Sequence, residues 1–326
     1  MIKENKRKQD LNLYFYIIFL YRYIFKFIRQ FQLRWRKTLK ITPECVPCIL
    51  NRLLYEVNLV DPKQAYSVIK EACGILGSDL SCEICSAELA TDIHKHTYER
   101  LGTKDPYVVI KELAMQVGLE LEDKAKKIIN QSKDRLRAAI LCSIVGNVLD
   151  FGIAGGMNTP EELVAKFDQI YDEGIGYDNT ENIKKYLKKD AKIVLLTDNC
   201  GEIVFDKLLC HELKKFEVKI ILVVKGEPIL SDATMKEAKD IKMIEVVDQI
   251  INTGVYAVGL AVNNMPSELE DHLKDADLII SKGMGNFEAL SETNLKPVCY
   301  LLRTKCTPVA MALGLPKNIN VAKLIE

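Results

Sequence analysis

Four consecutive apolar residues, Ile193, Val194, Leu195 and Leu196, end abruptly at Thr197-Asp198-Asn199-Cys200-Gly201-Glu202. A bounded apolar run of this kind reads as a strand buried on both faces, as in a parallel sheet covered by helices. An apolar-periodic stretch follows, with Ile203, Val204, Leu208 and Leu209, so the polar residues sit between a strand and a helix. That junction falls at the carboxyl edge of a sheet, where open α/β folds bind their ligands. Asp198 and Asn199 offer hard oxygens suited to a divalent cation, and a helix N-terminus favours an anion beside them. The same residues would also serve as a plain helix-capping loop, so this stretch alone leaves both roles open.

The rest of the carboxyl-terminal half repeats the pattern. Strands are expected at 193–197, 219–224, 243–247, 278–281 and 298–302, with helices at about 202–215, 232–240, 267–274 and 286–292 and a last one from Pro308. Strands alternating with helices predict an α/β fold: a three-layer α/β/α, doubly wound, mostly parallel sheet. From Thr42 to about Leu187 strand-like alternation is absent and helical spacing prevails, which predicts an N-terminal all-α subdomain. Within it, 136–148 is apolar nearly all round and should be a buried helix, with Asn147 near its carboxyl end. The expected organisation is therefore an extension over 1–40, a helical subdomain over 41–188 and a Rossmann-like domain over 189–326.

A formal charge of zero hides an asymmetry. Residues 1–40 hold eleven Lys or Arg against two acids, which leaves 34 bases against 43 acids in the remainder. An acidic body gives no reason to expect nucleic acid as a partner. Residues 11–31 are rich in Tyr, Phe and Ile but interrupted by Arg22, Lys26 and Arg29, against a spanning helix. No small-residue cleavage site marks a signal peptide. The segment fits either a basic amphipathic contact with an anionic membrane or an upstream extension outside the folded domain.

Ten cysteines without a secretory signal point to reduced thiols and a cytoplasmic protein. Two Cys-x-x-Cys pairs stand out, Cys45 with Cys48 and Cys82 with Cys85, each near an expected helix start that favours thiolate. Together they suit structural zinc or an iron–sulfur cluster, although 33 residues between the pairs exceeds the usual zinc-ribbon spacing. A redox dithiol and four unligated thiols are the other readings. His94 and His96 follow, but alternate residues on a helix point apart, which argues against joint ligation.

More ligand chemistry collects where the later strands end. Asp232, after the second strand, is placed to reach the same edge as Asp198, or else to cap the next helix. After the fourth strand come Lys282-Gly283-Met284-Gly285-Asn286-Phe287-Glu288. The two glycines allow close backbone approach, Lys282 offers a point charge, and Asn286 and Glu288 start a helix. The fifth strand adds Arg303 and Lys305. Oxygen ligands for a metal, with cations around a Gly-rich turn, suit a phosphate ester bound to a divalent ion.

Four blocks in order carry a resemblance: Thr197-Asp-Asn-Cys-Gly-Glu202, Pro228-Ile-Leu-Ser-Asp-Ala-Thr234, Lys282-Gly-Met-Gly-Asn-Phe-Glu288 and Lys305-Cys-Thr-Pro-Val-Ala310. They resemble the signature blocks of the damage-control phosphatases. The opening Pro43-Glu-Cys-Val-Pro-Cys48 and the segment Gly146-Asn147-Val-Leu-Asp150 are similar to that family's mostly prokaryotic, cysteine-containing branch. The resemblance spans about 42–326 and implies metal-dependent hydrolysis of phosphorylated metabolites, including sugar phosphates and damaged metabolites. It further implies Asp198, Asn199 and Asp232 as metal ligands, a set whose ligand types accept Mg, Mn, Co or Ni, and Lys282 with Gly285 and Asn286 as the phosphate-holding block. Asn147, Glu202, Glu288 and Lys305 join as substrate-binding candidates, and Asp198 and Lys282 as catalytic ones. Two further functions are weighed against this: carboxyl methyl transfer from S-adenosylmethionine, and a non-catalytic, metal-stapled nucleotide-binding module. Methyl transfer would want a glycine-rich loop after the first strand, where this chain has acids.

Overall fold

The computed structural model describes residues 39–149, 160–291 and 293–326. The candidate membrane-contact segment, 11–31, lies outside the described residues, as does all of the 1–40 extension except Leu39 and Lys40. Three helices open the described chain: α1 (Cys45–Val60), α2 (Ala65–Asp79) and α3 (Ser86–Leu101). They share a small core of their own around Leu53, Ala72, Leu76, Leu89 and Ile93. Gly102, in the left-handed conformation at φ 68°, stops α3.

The next helices, α4 (Val108–Gln131), α5 (Arg135–Val145) and α6 (Pro160–Asp172), leave that bundle and cover the sheet. The apolar-all-round helix is α5, which starts on an Asp134 side-chain cap and is buried from Ala138 to Val145 between α4, a later helix and the strands. It tightens into a 3-10 turn over Gly146–Leu149, and this turn carries Asn147. A short α7 (Thr180–Ile183) follows. On the same face lie α8 (Ile203–Lys214) and α9 (Met235–Asp240). The opposite face is covered by α10 (Ser267–Lys274), α11 (Gly283–Leu290) and α12 (Thr307–Leu313). Among the described residues no helix is long and apolar enough to cross a membrane.

The strands are β1 (Tyr177–Asp178), β2 (Lys192–Leu196), β3 (Lys219–Val224), β4 (Gln249–Asn252), β5 (Leu278–Lys282), β6 (Val298–Arg303) and β7 (Asn320–Ile325). Their spatial order is β1-β7-β6-β5-β2-β3-β4, and β7 runs antiparallel to β6 in an otherwise parallel sheet. From β2 the chain winds outward through β3 and β4, then returns to the other side of β2 with β5 and β6. This is the expected doubly wound α/β architecture, with its switch point between β2 and β5. Strand pleating divides the run after Lys192. Ile193 and Leu195 enter one core, and Val194 and Leu196 enter the other.

One expected strand is misplaced. Residues 243–247 form a 3-10 turn over Met243–Glu245, entered through left-handed Lys242, and the strand is Gln249–Asn252. Met243, Val246 and Val247 do bury their side chains, but as a loop against the α8 side of the core. Asp248 sets the real start of β4 by accepting the Ile220 amide at 2.7 Å and the Lys214 ammonium at 2.9 Å. Strands β1 and β7 escape the sequence pattern because β1, at the sheet edge, has two residues and the apolar run of β7 is broken by Lys323.

Candidate active site

The loops after β2 and β3 fold back on each other. Cys200 N–H donates to the Ser231 carbonyl and Ala233 N–H to the Asp198 carbonyl, each at 2.8 Å. These two bonds flank Asn199 and Asp232, which therefore face each other at a non-hydrogen-bonded antiparallel position. At such a position the side chains leave from the same face and lie closest together. Ser231 Oγ donates to Asn199 Oδ1 at 2.7 Å, and Lys225 Nζ lies 3.3 Å from Asp232 Oδ2. Asp232 does not cap the following helix. Thr234 does, in a capping box with Glu237.

Asn147 and Glu202 complete the cluster. Asn147 Nδ2 donates to Asp198 Oδ2 at 2.9 Å and to Glu202 Oε2 at 2.8 Å. Asn199 Nδ2 makes the same pair of bonds at 2.9 and 3.2 Å. Two carboxamides thus lock two carboxylates into one arrangement, with Asp198 half-buried and the other three residues buried. Asp198 sits at the switch point itself. Gly283, at φ 75° beyond β5, packs so closely that a Cβ there would lie 2.0 Å from Asp198 Oδ2. On the other side Gly201 meets α4, where a Cβ would lie 2.6 Å from the Ala114 carbonyl oxygen.

The Lys282 expectation needs correction. Its side chain is fully buried beneath the site, and its ammonium donates to Glu202 Oε1, to Asp206 Oδ1 at 2.7 Å and to the Ser143 carbonyl at 3.1 Å. An ammonium has three donors, so none remains for a phosphate. Burial works against its charged form, yet the Asp206 and Glu202 carboxylates outweigh that and hold its pKa above the ordinary lysine value. Burial also pushes the Asp206 carboxyl up to about 6, against the pull of Lys282. Ser143 Oγ donates to Asp206 Oδ1 at 2.6 Å.

The rest of the Gly-rich block is likewise turned inward. Asn286 Nδ2 donates to the Thr197 and Lys282 carbonyls, each at 2.9 Å, and so ties β2 to β5 rather than facing a ligand. The Gly285 carbonyl lies against Gly259. The Glu288 carboxylate accepts Ser86 Oγ at 2.5 Å, which joins α11 to the start of α3. Lys305 does reach the cluster, where its Nζ donates to the Asn147 carbonyl at 2.8 Å. Cys200 gains a packing role: it is buried, its thiol faces the Lys111 carbonyl at 3.6 Å, and burial pushes its pKa up.

The two cysteine pairs do not assemble into a four-thiolate site. Cys48 and Cys82 are exposed, Cys85 is buried and Cys45 is intermediate. Among the described residues no three of His, Cys, Asp and Glu are grouped to hold a metal ion. His94 and His96 do point apart, to Glu56 and Glu71, each at 2.9 Å.

Residues 41–321 match the ARMT1-like damage-control phosphatase domain. The chain belongs to this family. It is 39% identical to a damage-control phosphatase of Archaeoglobus fulgidus over 290 residues, 88% of this chain and all of that one. A damage-control phosphatase of Pyrococcus horikoshii is 28% identical over 87% of this chain and 97% of its own length. The crystal structure of a DUF89 family protein from the same organism superposes with a TM-score of 0.79 at 27% identity, covering 87% of this chain and 99% of that one. Membership supports a phosphatase.

The donor set can be tested against a cation. Asp198, Asn199 and Asp232 present oxygen only, which suits a hard divalent ion. Among the described residues no third His, Cys, Asp or Glu is grouped with Asp198 and Asp232 to hold a metal ion, so the Asn199 carboxamide would have to supply a ligand. Its Oδ1 accepts Ser231 Oγ and keeps a second lone pair, so the set fits such an ion. Ser143, Asp206, Lys225 and Ser231 were not singled out from sequence. The signal for Asp206 was present, because Glu202, Asp206, Leu209 and Leu213 share one buried stripe of α8.

Proposed function

We propose that this chain is a metal-dependent phosphatase that hydrolyses phosphomonoesters of small metabolites, such as sugar phosphates or damaged phospho-metabolites. The observation that carries the reading is the opposition of Asn199 and Asp232 beside Asp198 at the switch point of the sheet. When held by these three residues, a divalent cation supplies charge neutralisation at the phosphate. The chain's own residues do the positioning. Asn147 and Asn199 fix the Asp198 carboxylate through two N–H bonds to one oxygen. Lys225 orients Asp232, and Ser231 orients the Asn199 amide. Lys305, anchored on the Asn147 carbonyl, brings a cation to the rim, where charge on a phosphate would be met. Lys282 acts from below by holding Glu202, which in turn receives both carboxamides.

The test is hydrolysis of a generic aryl phosphate with Mg, Mn, Co and Ni ions, comparing the wild type with Asp198→Ala and Asp232→Ala. Each variant should lose metal-dependent turnover by more than about a hundred-fold, since outer-shell partners alone cost 10–100-fold. Retention of metal-requiring activity in both variants would remove the ligand assignment.

A further inference from the structure

The turn that delivers Ser231 and Asp232 to the site is strained. Leu230 adopts a left-handed conformation at φ 49°, which a bulky side chain rarely accepts, inside a turn closed by Asp232 N–H on the Ile229 carbonyl at 3.1 Å. A turn of this kind persists only where its surroundings hold it. The outside hold comes from the helical bundle: Leu230 N–H donates to the hydroxyl of Tyr98 on α3 at 3.2 Å. That hydroxyl donates in turn to Glu56 Oε1 on α1 at 3.3 Å. Glu56 is fully buried and is fixed from two further directions, by His94 Nδ1 at 2.9 Å and by the Tyr107 hydroxyl at 3.2 Å. The ring of Tyr98 is buried and braced edge-on against Tyr256, with centroids 5.6 Å apart.

We propose that Tyr98 is a positioning residue for Asp232 and Ser231, through which the helical bundle sets the geometry of the site. Tyr98 acts through the backbone ahead of these two residues. It accepts the peptide N–H one and two positions before them, and so fixes where the strained turn lies against Asn199. Without that acceptor the Leu230 amide is left unsatisfied and the turn has a reason to relax toward an unstrained conformation. Any such relaxation carries Ser231 away from Asn199 Oδ1 and Asp232 away from the antiparallel bridge. The catalytic readout of this inference rests on the metal-phosphatase reading, but the conformational readout does not.

The experiment compares the wild type with Tyr98→Phe and Tyr107→Phe. Both variants keep the aromatic ring and remove one phenol bond to Glu56, but only Tyr98→Phe removes the acceptor for Leu230 N–H. Two quantities are read: hydrogen exchange of the segment 228–234, and the Mn concentration giving half-maximal hydrolysis of an aryl phosphate. Tyr98→Phe should speed exchange of the Leu230–Asp232 amides and raise the Mn constant by about ten-fold. Tyr107→Phe should do neither, whatever it does to the melting temperature. Equal effects of the two variants on both readouts would reduce Tyr98 to one more structural bond in the bundle and overturn the proposal, as would unchanged exchange in Tyr98→Phe. If the wild type hydrolyses the aryl phosphate without any metal, the metal reading fails, and the exchange comparison still decides the role of Tyr98.

Discussion

Replacing Lys282 with Met separates a lysine that touches substrate from one that holds the floor of the site. The substitution keeps most of the side-chain length and removes the ammonium. In the structure that ammonium faces Glu202 and Asp206, and all three side chains are at most 1% exposed. Removing one partner from a buried ion pair costs about 3–5 kcal/mol, because the stranded charge has no water to turn to. Here two carboxylates are stranded, although Ser143 Oγ still reaches Asp206 and two carboxamides still reach Glu202. A loss of about 3–5 kcal/mol is a large part of the roughly 5–15 kcal/mol that such a domain has. Urea unfolding at pH 5.5 and pH 8 reads the effect. Burial already pushes the Asp206 carboxyl up to about 6 with Lys282 opposing, and without Lys282 it rises further. A carboxyl raised above its unfolded pKa stabilises when protonated and loses that contribution as pH rises through the folded value. The gap between variant and wild type should therefore be wider at pH 8 than at pH 5.5. A variant within about 1 kcal/mol of wild type at pH 8, with hydrolysis lost through a raised KM, would refute the floor role and restore direct contact with substrate.

Two further outcomes follow from the same structure. Burial pushes the Glu288 carboxyl up to about 7, with the Ser86 hydrogen bond pulling the other way. Its stabilising protonated form is full below about pH 4.5 and lost as pH rises to about 7, so Glu288→Gln should flatten this dependence. The variant should gain on wild type by up to about 3 kcal/mol at pH 8 in urea midpoint measurements, and an unchanged slope would refute it. Exposed Cys82, with Cys85 buried, points to independent thiols rather than a metal staple. Cys82→Ser should shift stability by no more than about 0.5 kcal/mol and leave it insensitive to chelator, whereas a zinc site would lose far more.

The architecture was legible where burial alone decides it. Residues 193–196 and 220–224 are apolar without interruption because both faces of β2 and β3 are covered. Residues 243–247 look equally strand-like, yet burial without pairing gives the same signature, and the polar anchor Asp248 decides which residues join the sheet. The site divides along the same line. Asp198, Asn199 and Asp232 were visible because strand ends fix backbone position, and backbone position is what the β2 and β3 loops share. Lys282 was visible as a residue at a strand end but not in its direction. A lysine there turns toward whichever carboxylates the covering layer brings, and α8 brings two, one helical turn apart, beneath the sheet edge. Lys225, one residue past the end of β3, meets Asp232 instead and also donates to the Gly259 carbonyl. Two lysines at the carboxyl ends of strands thus take different roles, one holding the candidate ligand Asp232 and one holding the floor below it. The direction of a charged side chain at a sheet edge is set by the layer above it. For Lys282 that layer is α8, whose Glu202 and Asp206 stand 80 and 76 residues earlier in the chain, beyond the reach of any local pattern.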